Sequence, residues 1–272
     1  MTFSWASGGS VKVDFVWDKS TSIPEKDGAA VPIKGIAADG TARMYIVVSK
    51  AFPQVGAAIQ RVEMYLYDPQ NKTSRTSILG KLKYSALQNN SSYTEDANTT
   101  NTVSAQSLSS NQDGKYWFWY VAPDDFTEDG REEDDQSSRN VECSVAVYYQ
   151  GSSTPEERKI AIPIVRPPLM CVHGINSDQS AWDAVGVINE GLVKYVHKPN
   201  MYPGGSYLQN ARVLMGLESG LNPSQQPSIL GAVQQMRTNG YVANQVDYVA
   251  HSMGGSMLRM ALHQRDSQCI LR

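Results

Sequence analysis

Val246-Asp247-Tyr248-Val249-Ala250-His251-Ser252-Met253-Gly254-Gly255 is the stretch on which the reading of this chain turns. Val246 to Ala250 is a short apolar run of strand length, and Gly254 to Gln264 places Met257, Leu258, Met260 and Ala261 on a helical face. A strand passing into a helix through so short a turn projects the central side chain outward, and that side chain is Ser252. The turn is strained, so small residues are needed two positions to either side, and Ala250 and Gly254 stand there. The backbone N–H groups opening the helix would face an oxyanion beside the serine.

Working outward, Ile164-Val165-Arg166-Pro167-Pro168-Leu169 marks a change of pattern, because successive prolines interrupt strand pairing. A domain boundary is expected near residue 166, dividing the chain into 1–165 and 166–272. After it, Leu169 to Val172 reads as a buried parallel strand leading into the loop His173-Gly174-Ile175-Asn176. A helix is expected from Ser180, which with Asp183 three residues on forms a capping-box-like start, with Trp182, Val185, Ile188, Leu192 and Tyr195 as its stripe. Ala211 to Leu217 reads as a second strand and Ser224 to Thr238 as a second helix. That alternation predicts a parallel sheet flanked by helices.

Before residue 166 the apolar period is two. Val13, Phe15 and Trp17 alternate with polar residues, as do Val62, Met64 and Leu66; so do Val141, Cys143, Val145 and Val147, and then Ile160, Ile162 and Ile164. Ala42 to Val48 and Tyr116 to Val121 are more continuously apolar. Turn-rich segments such as Ala38 to Gly40 and Asn111 to Gly114 separate the runs. The expected fold class is therefore all-β plus α/β, a β-sandwich followed by a partial parallel sheet with flanking helices.

At 272 residues and 41% hydrophobic content the chain can bury a sizeable core, and its net charge of −3 provides no basic field for nucleic acid or an anionic membrane. Residues 1–165 hold 16 Lys and Arg against 21 Asp and Glu, and 166–272 hold 8 against 6. All four histidines (His173, His197, His251, His263) lie in the second part, so imidazole chemistry must be sought there. Cys143, Cys171 and Cys269 have no metal-ligand spacing, and neither a metal nor another cofactor is expected. No export signal or transmembrane run is read. Asn89 to Thr102 reads as a polar loop. Asp124 to Asp135 gathers eight carboxylates around Gly130 but lacks the order of a calcium loop, and reads as a solvated acidic loop.

The segment Ala38 to Val48 with the following Val62, Met64, Leu66 strand resembles bacterial immunoglobulin-like domains of the invasin and intimin type. The His173-Gly174-Ile175 loop together with Val246 to Gly255 resembles the α/β-hydrolase lipases and esterases. Its Ala-His-Ser-Met-Gly form is similar to the small secreted lipases of bacilli. The resemblance implies Ser252 as catalytic nucleophile and the backbone N–H groups of Ile175 and Met253 as the oxyanion hole. His173, Gly174, Ala250, His251 and Gly254 would then be supporting residues, the substrate a small-molecule or lipid ester, and the setting secreted or cell-surface.

Triad partners in that family follow the serine, and only Asp266 and His263 do so here. At about 1.5 Å per residue along a helix, His263 would stand about 16 Å from Ser252. The acid and base are therefore expected to be missing from this chain. The functional expectation is a serine ester hydrolase, incomplete as it stands. The alternative is a non-catalytic binding or adhesion protein whose β-sandwich holds an unknown ligand beside a hydrolase remnant. Acyl transfer or amide hydrolysis by the same serine is a third reading.

Overall fold

The computed structural model describes residues 11–18, 23–51, 57–69, 78–85, 102–106, 114–127, 135–174, 176–189, 191–218, 228–263 and 270–271. Its elements in chain order begin with β1 (Val11–Trp17), β2 (Glu25–Lys26), β3 (Ala29–Ala30), β4 (Gly35–Ala37), β5 (Arg43–Lys50) and β6 (Ile59–Tyr67). There follow β7 (Lys81–Ser85), β8 (Thr102–Gln106), β9 (Tyr116–Val121), β10 (Ser138–Tyr149), β11 (Glu156–Val165) and β12 (Leu169–Val172). The remainder comprises α1 (Gly186–Asn189), β13 (Val196–His197), α2 (Tyr207–Met215), α3 (Ile229–Thr238), β14 (Tyr241–Val242), β15 (Gln245–Ala250), α4 (Met253–His263) and β16 (Ile270–Leu271).

One antiparallel sheet runs β1-β5-β9-β7, and a larger mixed sheet, parallel at β14-β4-β11, runs β14-β4-β11-β10-β6-β8. They share a core. Ile46, Val48, Phe118 and Tyr120 from the first sheet are buried with Val62, Met64, Val145 and Ile162 from the second. These are the inward positions of the period-two pattern. Two buried phenols are satisfied, since Tyr116 Oη donates to the Ile59 carbonyl at 3.1 Å and Tyr120 Oη to the Leu79 carbonyl at 2.9 Å. The continuously apolar strands have a separate cause. On the opposite face of the first sheet Tyr45 packs on Trp119 at 3.8 Å between ring centres and edge-on to Trp117 at 5.1 Å.

The expected fold class of a sandwich followed by a partial α/β-hydrolase sheet is corrected: the chain is mostly β, dominated by one antiparallel and one mixed sheet. Among the described residues, parallel pairing between strands that both follow Arg166 is confined to β13-β12-β15-β16, where β13 and β16 have two residues each. β14 leaves that group and pairs parallel with β4 in the larger sheet. The expected strand Ala211 to Leu217 falls instead in helix α2 and its C-terminal turn. Ser206 caps α2, Gly216 ends it at φ 81°, and Asn210, Ala211, Val213, Leu214 and Met215 form its buried stripe. A short apolar run is compatible with either period, and here the caps decide. The long helix expected from Ser180 is also broken, into a single 3₁₀ turn at Gln179–Trp182 capped by Asp178 and the one-turn α1.

The two parts meet at Asp39, which is 2% exposed. Its Oδ1 accepts from the backbone N–H groups of Thr41 at 2.8 Å and Ala42 at 2.5 Å and from Thr41 Oγ1 at 3.2 Å. Its Oδ2 accepts from the N–H groups of Asn244 at 2.7 Å and Gln245 at 3.1 Å. Asn244 Nδ2 donates to the Thr41 carbonyl at 3.0 Å, and Gln245 Nε2 to Thr41 Oγ1 at 3.0 Å. The carboxylate thus fixes the start of β15 to the turn before β5.

Removing one partner of such a buried network leaves its donors unpaired, at a cost of about 3–5 kcal/mol. Asp39→Ala should therefore lower the urea midpoint sharply. A loss below about 1 kcal/mol would contradict the placement of this carboxylate.

Candidate functional site

The sequence singled out the Ser252 turn, and the structure builds it from β15, α4 and the end of β12. β12 and β15 are parallel neighbours, with Cys171 opposite Val249 and Val172 opposite Ala250. Beyond the ladder His251 N–H donates to the Val172 carbonyl at 3.0 Å. Ser252 then adopts φ 54°, a left-handed conformation that costs a non-glycine residue about 1–2 kcal/mol. Gly254 N–H closes the turn on the His251 carbonyl at 3.0 Å. Ser252 and His251 are exposed.

Two glycines permit this approach. A Cβ on Gly254 would lie 2.5 Å from the Val172 carbonyl oxygen, and one on Gly174 would lie 2.9 Å from Ser252 Cβ. The structure therefore brings Gly174, Ala250, His251, Ser252, Met253 and Gly254 together. Ile175, the second expected oxyanion donor, lies outside the described residues, as do Asp266, Cys269 and most of the segments 89–102 and 124–135.

The histidines do not supply a base at the serine among the described side chains. His173 is 2% exposed; its Nδ1 faces the Gly174 carbonyl at 2.9 Å and its Nε2 accepts from Met201 N–H at 3.4 Å. Both ring nitrogens are thus engaged away from Ser252, with the proton on Nδ1. His197, on β13 opposite Met170 of β12, is buried and its Nε2 has no partner. Burial holds its imidazole below the ordinary value. Burial also raises the Cys171 thiol to about 11 and the Cys143 thiol further, so neither is a reactive thiolate at neutral pH. No group of three or more metal-ligating side chains is assembled among the described residues.

A second feature was not singled out in the sequence. A cavity of about 400 Å³ opens between β1 and β11. Val11, Val13, Phe15, Ile160, Ala161 and Pro163 provide its apolar lining, and Lys12, Lys34, Arg158 and Lys159 its cations. It lies beside the edge strand β1 and the stretch of β11 that β4 does not reach. β1 pairs only with β5, whereas β11 pairs with β10 along its length and with β4 only at Ile164 and Val165. Cations on the two strands, Lys12 on β1 and Arg158 and Lys159 on β11, are the sequence signal that could have found it.

No family model matches the chain, and no curated protein matches it. Among solved structures it is similar to AggA, the major subunit of aggregative adherence fimbriae type I of Escherichia coli, at 6% identity and TM-score 0.30, covering 57% of this chain and 93% of that one. It is similar to the CooA pilin subunit of enterotoxigenic Escherichia coli at 10% identity and TM-score 0.27, covering 57% and 99%. A third likeness is the major pilin subunit BcpA of Bacillus cereus, at 4% identity and TM-score 0.29, covering 61% and 44%. Likenesses this distant assign no function. The expected description as a hydrolase, lipase or esterase of the α/β-hydrolase kind is corrected: the chain is mostly β, and the parallel sheet around Ser252 has among the described residues only β13, β12, β15 and β16. No helix among the described residues is long and apolar enough to cross a membrane.

Two stability measurements check this geometry. Ser252→Gly relieves the left-handed backbone and should stabilise the fold by about 1 kcal/mol, whereas Gly254→Ala should cost about 1–3 kcal/mol by forcing a methyl group against the Val172 carbonyl. Equal and small effects would contradict the turn. For His197 the folded pKa lies below the unfolded value of about 6.5, so the unfolded chain binds more protons. Its contribution is present above that pH and is lost as pH falls through it towards the folded pKa. His197→Phe should flatten the stability profile there; an unchanged acid slope would contradict it.

Proposed function

We propose that this chain is a non-catalytic binding protein whose β-rich part, residues 1–165, holds its ligand in the cleft between β1 and β11. The observation that carries the reading is the apolar cavity of about 400 Å³ between β1 and β11, within the usual range for ligand sites. Residues 166–272 form a smaller unit fastened through Asp39. The secreted or cell-surface setting implied by the sequence resemblances belongs to the same proposal.

Ala161 lines the cavity and is exposed, so a larger side chain there fills space without entering the core. Saturable binding of anilinonaphthalene sulfonate, an apolar anion, is expected. Ala161→Trp should weaken it by at least about tenfold, or 1.4 kcal/mol, with an unchanged melting temperature. Equal affinity in the two proteins would move the ligand site elsewhere.

A second reading is favoured by φ 54° at Ser252 and the exposure of that side chain. Ser252 serves as an acyl acceptor, as the resemblance of its turn to lipase and esterase nucleophiles implies. The Met253 N–H opens α4 beside it, while the described histidines offer no base. A fluorophosphonate should label the folded chain slowly and fail to label Ser252→Ala, without measurable turnover of a p-nitrophenyl ester. Labelling unaffected by Ser252→Ala would remove this reading.

A further inference from the structure

The cleft lies between two strand edges that no described strand pairs. In an antiparallel pair, alternate residues turn their N–H and C=O groups away from the partner strand. Along β1 these outward groups meet no described strand, because β5 occupies only the other side. Along β11 no described strand lies on that side from Glu157 to Pro163, beyond the two residues paired with β4. Pro163, which has no N–H to offer a ladder, sets one end of the free edge. There Gly35 approaches so closely that a Cβ on it would lie 2.6 Å from the Pro163 carbonyl oxygen.

Between these edges Val13, Phe15 and Ile160 are only partly buried although they pack against the shared core. An added strand would place its alternate side chains over them. An aliphatic small molecule would cover the same apolar surface and leave both backbone edges unpaired. The charges are also one-sided, because the cavity is lined by four cations and no carboxylate. Lys12 is paired with Asp14 at 2.7 Å and Arg158 with Glu156 at 2.8 Å. Lys34 is exposed, and the exposed Lys159 is hydrogen-bonded to Tyr67, its Nζ 5.2 Å from the centre of that ring.

We infer that the cleft takes an extended acidic peptide segment of a partner protein by strand addition between β1 and β11, with alternate apolar side chains entering the cavity and carboxylates meeting Lys34 and Lys159. This rests on the binding reading above and names the occupant of its site. The backbone edges supply hydrogen bonds and the cavity supplies selectivity for side chains.

The test uses the full chain and fluorescent peptides of about seven residues, an ordinary strand length, alternating valine with glutamate. Three comparison probes are the same peptide with lysine for glutamate, the same peptide N-methylated at alternate amides, and dodecanoate. Binding of the acidic peptide is expected, with at least tenfold weaker binding of both altered peptides. Lys34→Glu combined with Lys159→Glu, two exposed changes, should cost a similar factor at an unchanged melting temperature. Binding of dodecanoate alone would overturn strand addition and leave the binding module standing. Indifference to N-methylation or to the lysine changes would also overturn it. Self-association blocked by Ala161→Trp, with no peptide binding, would assign the cleft to a second copy of the chain. Failure of every probe, the sulfonate dye included, would overturn both readings.

Discussion

A single buried carboxylate organises how the two parts of the chain meet. Asp39 sits in the turn before β5, yet it accepts from the backbone of Asn244 and Gln245 as well as from its own turn. A buried carboxylate is tolerated only when its lone pairs are filled, and here donors from both parts fill them. The same junction is reinforced by β14, which joins β4 at the margin of the larger sheet, and by Arg237, whose Nε donates to the Ala243 carbonyl at 2.9 Å. The start of β15 is thereby set, and with it the path to the Ser252 turn.

That arrangement leaves the two ends of the molecule with different properties. At Ser252 the backbone is held in a costly conformation by close packing around Gly174 and Gly254, and the hydroxyl is presented to solvent with no described imidazole engaged on it. At β1 and along the part of β11 that β4 does not reach, no described strand covers the shared core, and cations line the opening. Exposed sheet edges invite pairing, so lysines there discourage indiscriminate strands and favour an acidic one.

Much of the first part was legible because a half-buried strand writes its period into the side chains. The runs beginning near Lys12, Arg61, Val141 and Lys159 all become strands, and Val246 to Ala250 becomes β15. What followed Arg166 was harder to read, since seven apolar-rich residues from Ala211 fit a helix as well as a strand until Ser206 and Gly216 are recognised as its caps. The candidate serine turn was readable because its steric demands fall on adjacent residues. The cleft and the Asp39 junction were not, because each is made by residues brought together over long separations: Val13 with Ile160, and Asp39 with Asn244.

Amide hydrogen exchange with and without the acidic peptide tests strand addition most directly. In the free chain the outward amides of Lys12 to Phe15 and Arg158 to Ala161 should exchange fast, and saturating peptide should protect both sets together. Protection of neither set, or protection confined to the neighbourhood of Ser252, would contradict the account.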